Sequence, residues 1–165
     1  VMATVHERLY QSPELAGLTV ASFLREIIEG AIAANSRQSK PIQLQMEFDE
    51  IPLSIDHAIT LGLLVNELIS NCLKHGLSSN RPGTIHVSAR IIPGAVRLVI
   101  RDNGNGLPDN FEIARKNSMG LKLVESLTRQ LGGEIKFLSN TGCQVQANLV
   151  RLAPEPVQHQ LAASV

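Results

Sequence analysis

Glu67 and Asn71 stand four residues apart in the stretch LGLLVNELISNCLKHG, with Lys74 and His75 close behind. Residues at that spacing are neighbours on a helix surface, so a carboxylate and an amide are presented side by side. Two oxygen donors of this kind suit a hydrated hard cation, and Mg²⁺ takes few protein ligands while keeping several waters. Lys74, one turn beyond, puts an ammonium where a phosphate could meet it. The same four residues also read as an ordinary solvated polar face, and this segment leaves both readings open.

A second group of chemistry-bearing residues lies in VIRDNGNGLPDN, Val99 to Asn110. Asp102 closes an apolar strand, where a partly buried carboxylate needs a donor. Accepting from an exocyclic amine, it would read adenine over guanine. Gly104 and Gly106 lack Cβ, can take φ > 0, and would let a flat ring or a phosphate approach the backbone. Asn-Gly is equally a strong hairpin signal, so a plain turn fits as well. Other nucleotide and metal loops fit poorly. There is no Gly-Lys-Ser/Thr for a P-loop, and no third glycine opening a helix for a dinucleotide site. An EF-hand would need oxygen ligands where the glycines stand.

A third stretch, KNSMGLKLVESL, places Ser118 and Gly120 at the opening of an amphipathic helix. The free N–H groups and the dipole of a helix start favour a phosphate. Each of the three stretches is unremarkable singly. Their order is informative: a Glu/Asn helix, a strand leading into Asp-Asn-Gly-x-Gly, then a glycine at a helix start.

These groups need a scaffold, and the 165 residues suffice for one domain. A hydrophobic content of 44% supplies a core, and 18% charged residues is low for a disordered chain. Zero formal net charge gives no electrostatic footprint for nucleic acid or an anionic membrane. No apolar run approaches the roughly 18 residues of a membrane span, and no signal peptide is visible. The two cysteines, Cys72 and Cys143, read as buried reduced thiols, which suits a cytoplasmic setting. Without Trp and with a single Tyr, no aromatic platform for stacking bases is expected.

Periodicity predicts a helix from Val20 to about Ala34 after Thr19, and an alternating strand from Ile42 to Phe48. A long helix from Ile55 to about His75 follows, capped by Ser54 and closed by Gly76. Two hairpins, turning at Pro93-Gly94 and between Ser139 and Gly142, flank the helix from about Met119 to Leu131. The stretch between Leu107 and Ser118 reads as a short polar loop. The pattern predicts an α+β two-layer sandwich, helices on one face of a mixed, mostly antiparallel sheet.

From Ile51 to about Arg151 the sequence resembles the ATP-binding domain of bacterial sensor histidine kinases, the Bergerat or GHKL fold. NELISNCLKHG is similar to the N box of that family, RDNGNGLP to its first glycine box and NSMGLKLV to a shortened second one. VHERLYQSPELAGLTVASFLREIIEG resembles the close of the dimerisation helix and linker in the subfamily related to the HWE kinases. The resemblance implies that residues 1–18 are a remnant of that helix and linker. Residues 19–152 would be the ATP-binding catalytic domain, and 153–165 a flexible tail. It implies ATP and Mg²⁺ as ligands, with Asn71 and Glu67 at the metal and catalytic to phosphoryl transfer. Asp102 would take the adenine amine. Lys74, His75, Gly104, Gly106, Ser118, Gly120 and Leu121 would line the nucleotide.

The implied reaction moves the γ-phosphoryl of ATP to a histidine on an upstream helix. His6 matches the second dimerisation helix rather than the acceptor helix. His57 and His86 read as structural, His159 as inert, and His75 as a phosphate or solvent contact, so this fragment is expected to bind ATP without autophosphorylating. A response regulator and a homodimeric whole kinase are the implied partners, with no nucleic acid and no membrane contact by this fragment. Three departures stand out: the single glycine of the second box, the short lid, and Gly142-Cys143 where relatives have Gly-Thr. The alternatives are an anti-sigma-type serine kinase or ATPase of the same fold, and a non-catalytic ATP-responsive binding module.

Overall fold

Thr19 opens the first helix because its hydroxyl accepts the Ser22 N–H (3.2 Å), which relieves one of the unpaired donors of the first turn. A computed structural model describes residues 18–34, 41–77, 82–139 and 141–152. The expectations for residues 1–17, including His6, and for the tail, including His159, lie outside them. Helix α1 (Val20–Ala34) buries Val20, Phe23, Leu24, Ile28 and Ala31, the helical repeat seen in the sequence. Strand β1 (Ile42–Phe48) alternates half-buried and exposed positions as its sequence does.

Helix α2 (Ile55–Asn71) starts where Ser54 Oγ accepts the His57 N–H (3.4 Å). It buries Ala58, Leu61, Leu64, Val65, Leu68 and Ile69. Strands β2 (Gly83–Ile92) and β3 (Ala95–Asp102) form the first hairpin. Helices α3 (Phe111–Asn117) and α4 (Met119–Gln130) follow. The second hairpin is β4 (Gly133–Ser139) with β5 (Cys143–Leu149).

The sheet order is β1-β2-β3-β5-β4, with only the β1–β2 pair parallel. A parallel pair needs a crossover, and α2 provides it. Ile85, Val87, Leu98, Ile100, Val145, Ala147 and Leu149 point into one core with the buried faces of α1, α2 and α4. The α+β sandwich read from the sequence is therefore the observed fold. No helix among the described residues is long and apolar enough to cross a membrane.

Two local expectations need correction. The α-helical pattern of α2 stops at Asn71 and passes into a π-turn, Cys72–Gly76, closed by Leu77 N–H to Cys72 O (2.9 Å). Gly76 is not a left-handed cap: among the described residues only Gly94, Gly106, Gly132 and Gly142 have positive φ. The second correction is α3, which replaces the expected loop. It is held from outside its own sequence: the Phe111 and Phe137 rings lie 5.2 Å apart, and Arg115 sits 5.1 Å over Phe137. Arg115 Nε also donates to Glu125 Oε1 of α4 (2.6 Å).

Candidate functional site

The π-turn delivers the Gly76 carbonyl to the glycine loop, where it accepts the Asn105 N–H (2.9 Å). Two backbones then meet with no side chain between them. A Cβ on Gly104 would overlap the Gly76 carbonyl oxygen, so glycine is required there by close approach. Positive φ, expected at both glycines, occurs only at Gly106 (φ 78°), whose Cβ would lie 2.6 Å from Ser139 Oγ. Ser139 Oγ accepts the Leu107 N–H (3.0 Å) and so ties the loop to the second hairpin.

Asp102 is 2% exposed at the end of β3. Its Oδ1 accepts the Gly104 N–H (2.8 Å) and the Cys143 N–H (3.2 Å). The donor that the sequence required is thus supplied by the backbone of two segments. Glycines wall this carboxylate: a Cβ on Gly76 would lie 2.5 Å from Asp102 Oδ2, and one on Gly142 (φ 145°) would overlap the Asp102 carbonyl. Burial, then the Asp102 charge, then Cys143, push the Cys72 thiol well above its ordinary range. Cys143 is half-buried and is pushed up to about 11 by burial first and the Asp102 charge second.

Glu67 and Asn71 are half-buried on α2, and Gly120 comes close to Glu67. A Cβ on Gly120 would sit 3.4 Å from Glu67 Oε2. Glu67 and the glycine of the third stretch therefore meet across the site. Asn71 Nδ2 is buried with no hydrogen-bond partner. A half-turn of the amide exchanges that nitrogen for its oxygen, so the side chain has unspent polar capacity for a ligand. Among the described residues no three His, Cys, Asp or Glu side chains form a metal cage. One amide and one nearby carboxylate instead fit a cation that completes its shell with phosphates and water.

Ser118 caps α4, its Oγ accepting the Leu121 N–H (3.3 Å), and the first intrahelical bond is Lys122 N–H to Ser118 O (3.1 Å). The Leu121 N–H is engaged, while those of Met119 and Gly120 have no intrahelical acceptor. Lys74 and His75 are exposed on the π-turn, apart from the buried carboxylate. Sequence reasoning missed Gly76 and Ser139 as parts of the site. The only signal for them was adjacency to the Glu/Asn helix and to the second turn.

A family described as histidine kinase-, DNA gyrase B- and HSP90-like ATPases matches residues 56–153. The chain is 24% identical over 136 residues to blue-light-activated histidine kinase 2 of Erythrobacter litoralis, covering 77% of this chain and 39% of that one. It is 32% identical over 108 residues to the anti-sigma F factor of Geobacillus kaustophilus, covering 59% of this chain and 74% of the other. The solved structure of the Erythrobacter litoralis EL346 blue-light-activated histidine kinase superposes with a TM-score of 0.81 at 22% identity, over 93% of this chain and 48% of that one. The chain spans less than half the length of these kinases.

Proposed function

The chain belongs to the histidine kinase-, DNA gyrase B- and HSP90-like ATPases, and from that premise we propose that it is the catalytic and ATP-binding domain of a sensor histidine kinase. It would transfer the γ-phosphoryl of Mg-ATP to a histidine on an upstream helix of the same protein. A response regulator would receive the phosphoryl group, and the whole kinase would be a homodimer working on the cytoplasmic side, where ATP is supplied. The observation that carries the reading is the buried Asp102 carboxylate, anchored through Oδ1 and walled by glycines. A buried acceptor of that kind suits an amine donor.

Asp102 accepts the adenine amine, and the close-set backbone at Gly104 and Gly106 gives the ring its space. The Met119 and Gly120 N–H groups donate to phosphate oxygens at the start of α4. Asn71 holds the metal through its amide oxygen, with Glu67 beside it. When bound there, Mg²⁺ neutralises charge that develops on the phosphoryl oxygens. Glu67 lies against the α4 start, where it can orient the incoming imidazole and accept its proton. Lys74 and His75 reach toward the phosphates from the π-turn. Transfer then depends on positioning.

The test is calorimetric titration with a non-hydrolysable ATP analogue and its guanine counterpart, with and without Mg²⁺. Adenine-selective, Mg²⁺-dependent binding is expected. No binding at millimolar nucleotide would overturn the reading. A second reading, a serine kinase of the anti-sigma type, is favoured by the match over most of an anti-sigma F factor's length. Phosphoserine on a partner incubated with the chain and ATP would select it.

A further inference from the structure

The face of the sheet turned away from the helices carries a groove of about 340 Å³ over β1, β2 and β3, lined by Gln45, Thr84, His86, Arg101 and Asn103. Asp102 also borders it, but its buried carboxylate is turned to the Gly104 and Cys143 N–H groups. Side chains alternate along a strand, and Leu44, Ile85 and Ile100 pack with the core. Gln45, Thr84, His86 and Arg101 therefore share the open face. The strand register sets Gln45 beside His86, and His86 beside Arg101. We propose that this groove is a second binding site, for a small phosphomonoester: Arg101, His86 and Thr84 take its phosphate, and Gln45 takes a hydroxyl of its body.

Charge singles out Arg101. Arg90 on the same face is neutralised by Glu47 (2.6 Å) and Asp49 (2.9 Å). Arg101 pairs with no carboxylate among the described residues; its Nη2 donates to the neutral Thr141 Oγ1 (2.9 Å), which steadies the guanidinium. Opposite it stands His86, a second group that can carry positive charge, and like charges so placed are unfavourable until an anion lies between them. Glu47 Oε1 is 3.5 Å from His86 Nε2, but that carboxylate is already bonded by Arg90 and does not line the groove. The end of the groove is built in advance: Asn103 Oδ1 accepts the Thr84 N–H (2.9 Å), and Asn103 Nδ2 donates to Pro82 O (3.2 Å). A phosphate ester presents three free oxygens, and the Arg101 fork, the His86 imidazole and the Thr84 hydroxyl offer a donor to each. A planar carboxylate has only two. The space is at the small end of ligand clefts, yet more than a bare phosphate fills, which leaves room for a hydroxyl-bearing body beside the Gln45 amide.

The groove site stands or falls apart from the nucleotide reading. Its test titrates the chain with glycerol phosphate and with inorganic phosphate at constant ionic strength, followed by amide chemical shifts. Glycerol phosphate should move the amides of Gln45, Thr84, His86 and Arg101 saturably, and should bind more tightly than inorganic phosphate. Arg101→Gln should weaken it about tenfold or more, the scale of hydrogen bonds to a charged group. Gln45→Ala should remove the preference for the ester while sparing inorganic phosphate. His86→Asn, expected to weaken both ligands, takes the place of Arg101→Gln should that variant fail to fold. Shifts at Met119 and Gly120 alone would put the phosphate at the start of α4 and overturn the groove site. So would unchanged affinity in Arg101→Gln, or equal affinities of the parent chain for ester and phosphate.

Discussion

Asp102 is anchored through Oδ1 by two backbone donors, so the main chain holds its carboxylate where it is. Replacing it by alanine removes the acceptor of both the Gly104 and the Cys143 N–H bonds. Asp102→Ala should therefore lower adenine nucleotide affinity roughly tenfold to hundredfold, as expected for a hydrogen bond to a charged group. Calorimetry would show it, and equal affinities in variant and parent would remove Asp102 from base recognition. Asn71→Ala should act differently, because its buried amide nitrogen has no hydrogen-bond partner and the amide is proposed to hold the metal. The gain in affinity on adding Mg²⁺ should vanish while metal-free binding of ADP persists. At this scale the sequence was most readable where residue type limits chemistry: a buried Asp102 had to find donors, and it has two. It was least readable at Gly104, whose need for glycine comes from the Gly76 carbonyl, a contact across 28 positions that no local pattern encodes.

Helix α2 could be read from sequence almost to its end, because Leu61, Leu64, Val65 and Leu68 repeat with the period of a buried face. Its π-turn could not, since the register slip is fixed by contact with the glycine loop. Helix α3 was illegible for a similar reason. Short helices have little stability of their own, and what holds this one lies in Phe137 and Glu125, outside its span. Arg115→Ala should release it: the lost ion pair, partly exposed, is worth about 1 kcal/mol. Amide exchange across residues 111–117 should then quicken about fivefold with the melting temperature nearly unchanged. Unaltered exchange there would mean that Phe111 alone anchors the lid helix. The core of α2 should behave oppositely. Leu64→Ala leaves a cavity against the sheet and should cost about 2–5 kcal/mol, read as a lower denaturation midpoint with every probe.

Across the whole molecule, titratable groups sit at two places with opposite consequences for stability. On the open face of the sheet, Arg90 bonds Glu47 (2.6 Å) and Asp49 (2.9 Å). The Arg90 hydrogen bond leads in holding Glu47 below its ordinary range, and for Asp49 the Ile91 N–H leads, with Arg90 next. Carboxyls lowered in the folded state support it above their unfolded values and lose that support as acid protonates them. Both are exposed, so this acid effect is small. The thiols beneath the site act at the other end of the scale. Cys143 titrates at about 11 when folded against 9.0 as its ordinary value, and Cys72 is also raised. Between those limits the unfolded chain has lost a thiol proton that the folded chain retains, so alkali favours unfolding. Urea denaturation at pH 8 and at pH 10.5 should give a lower midpoint at the higher pH. Cys143→Ser, which cannot form a thiolate, should narrow that difference. An equal fall in parent and variant would place the alkaline sensitivity elsewhere in the molecule. The buried chemistry of one site would then leave no mark on global stability, although Asp102 ties β3 to the glycine loop and to β5 through that site.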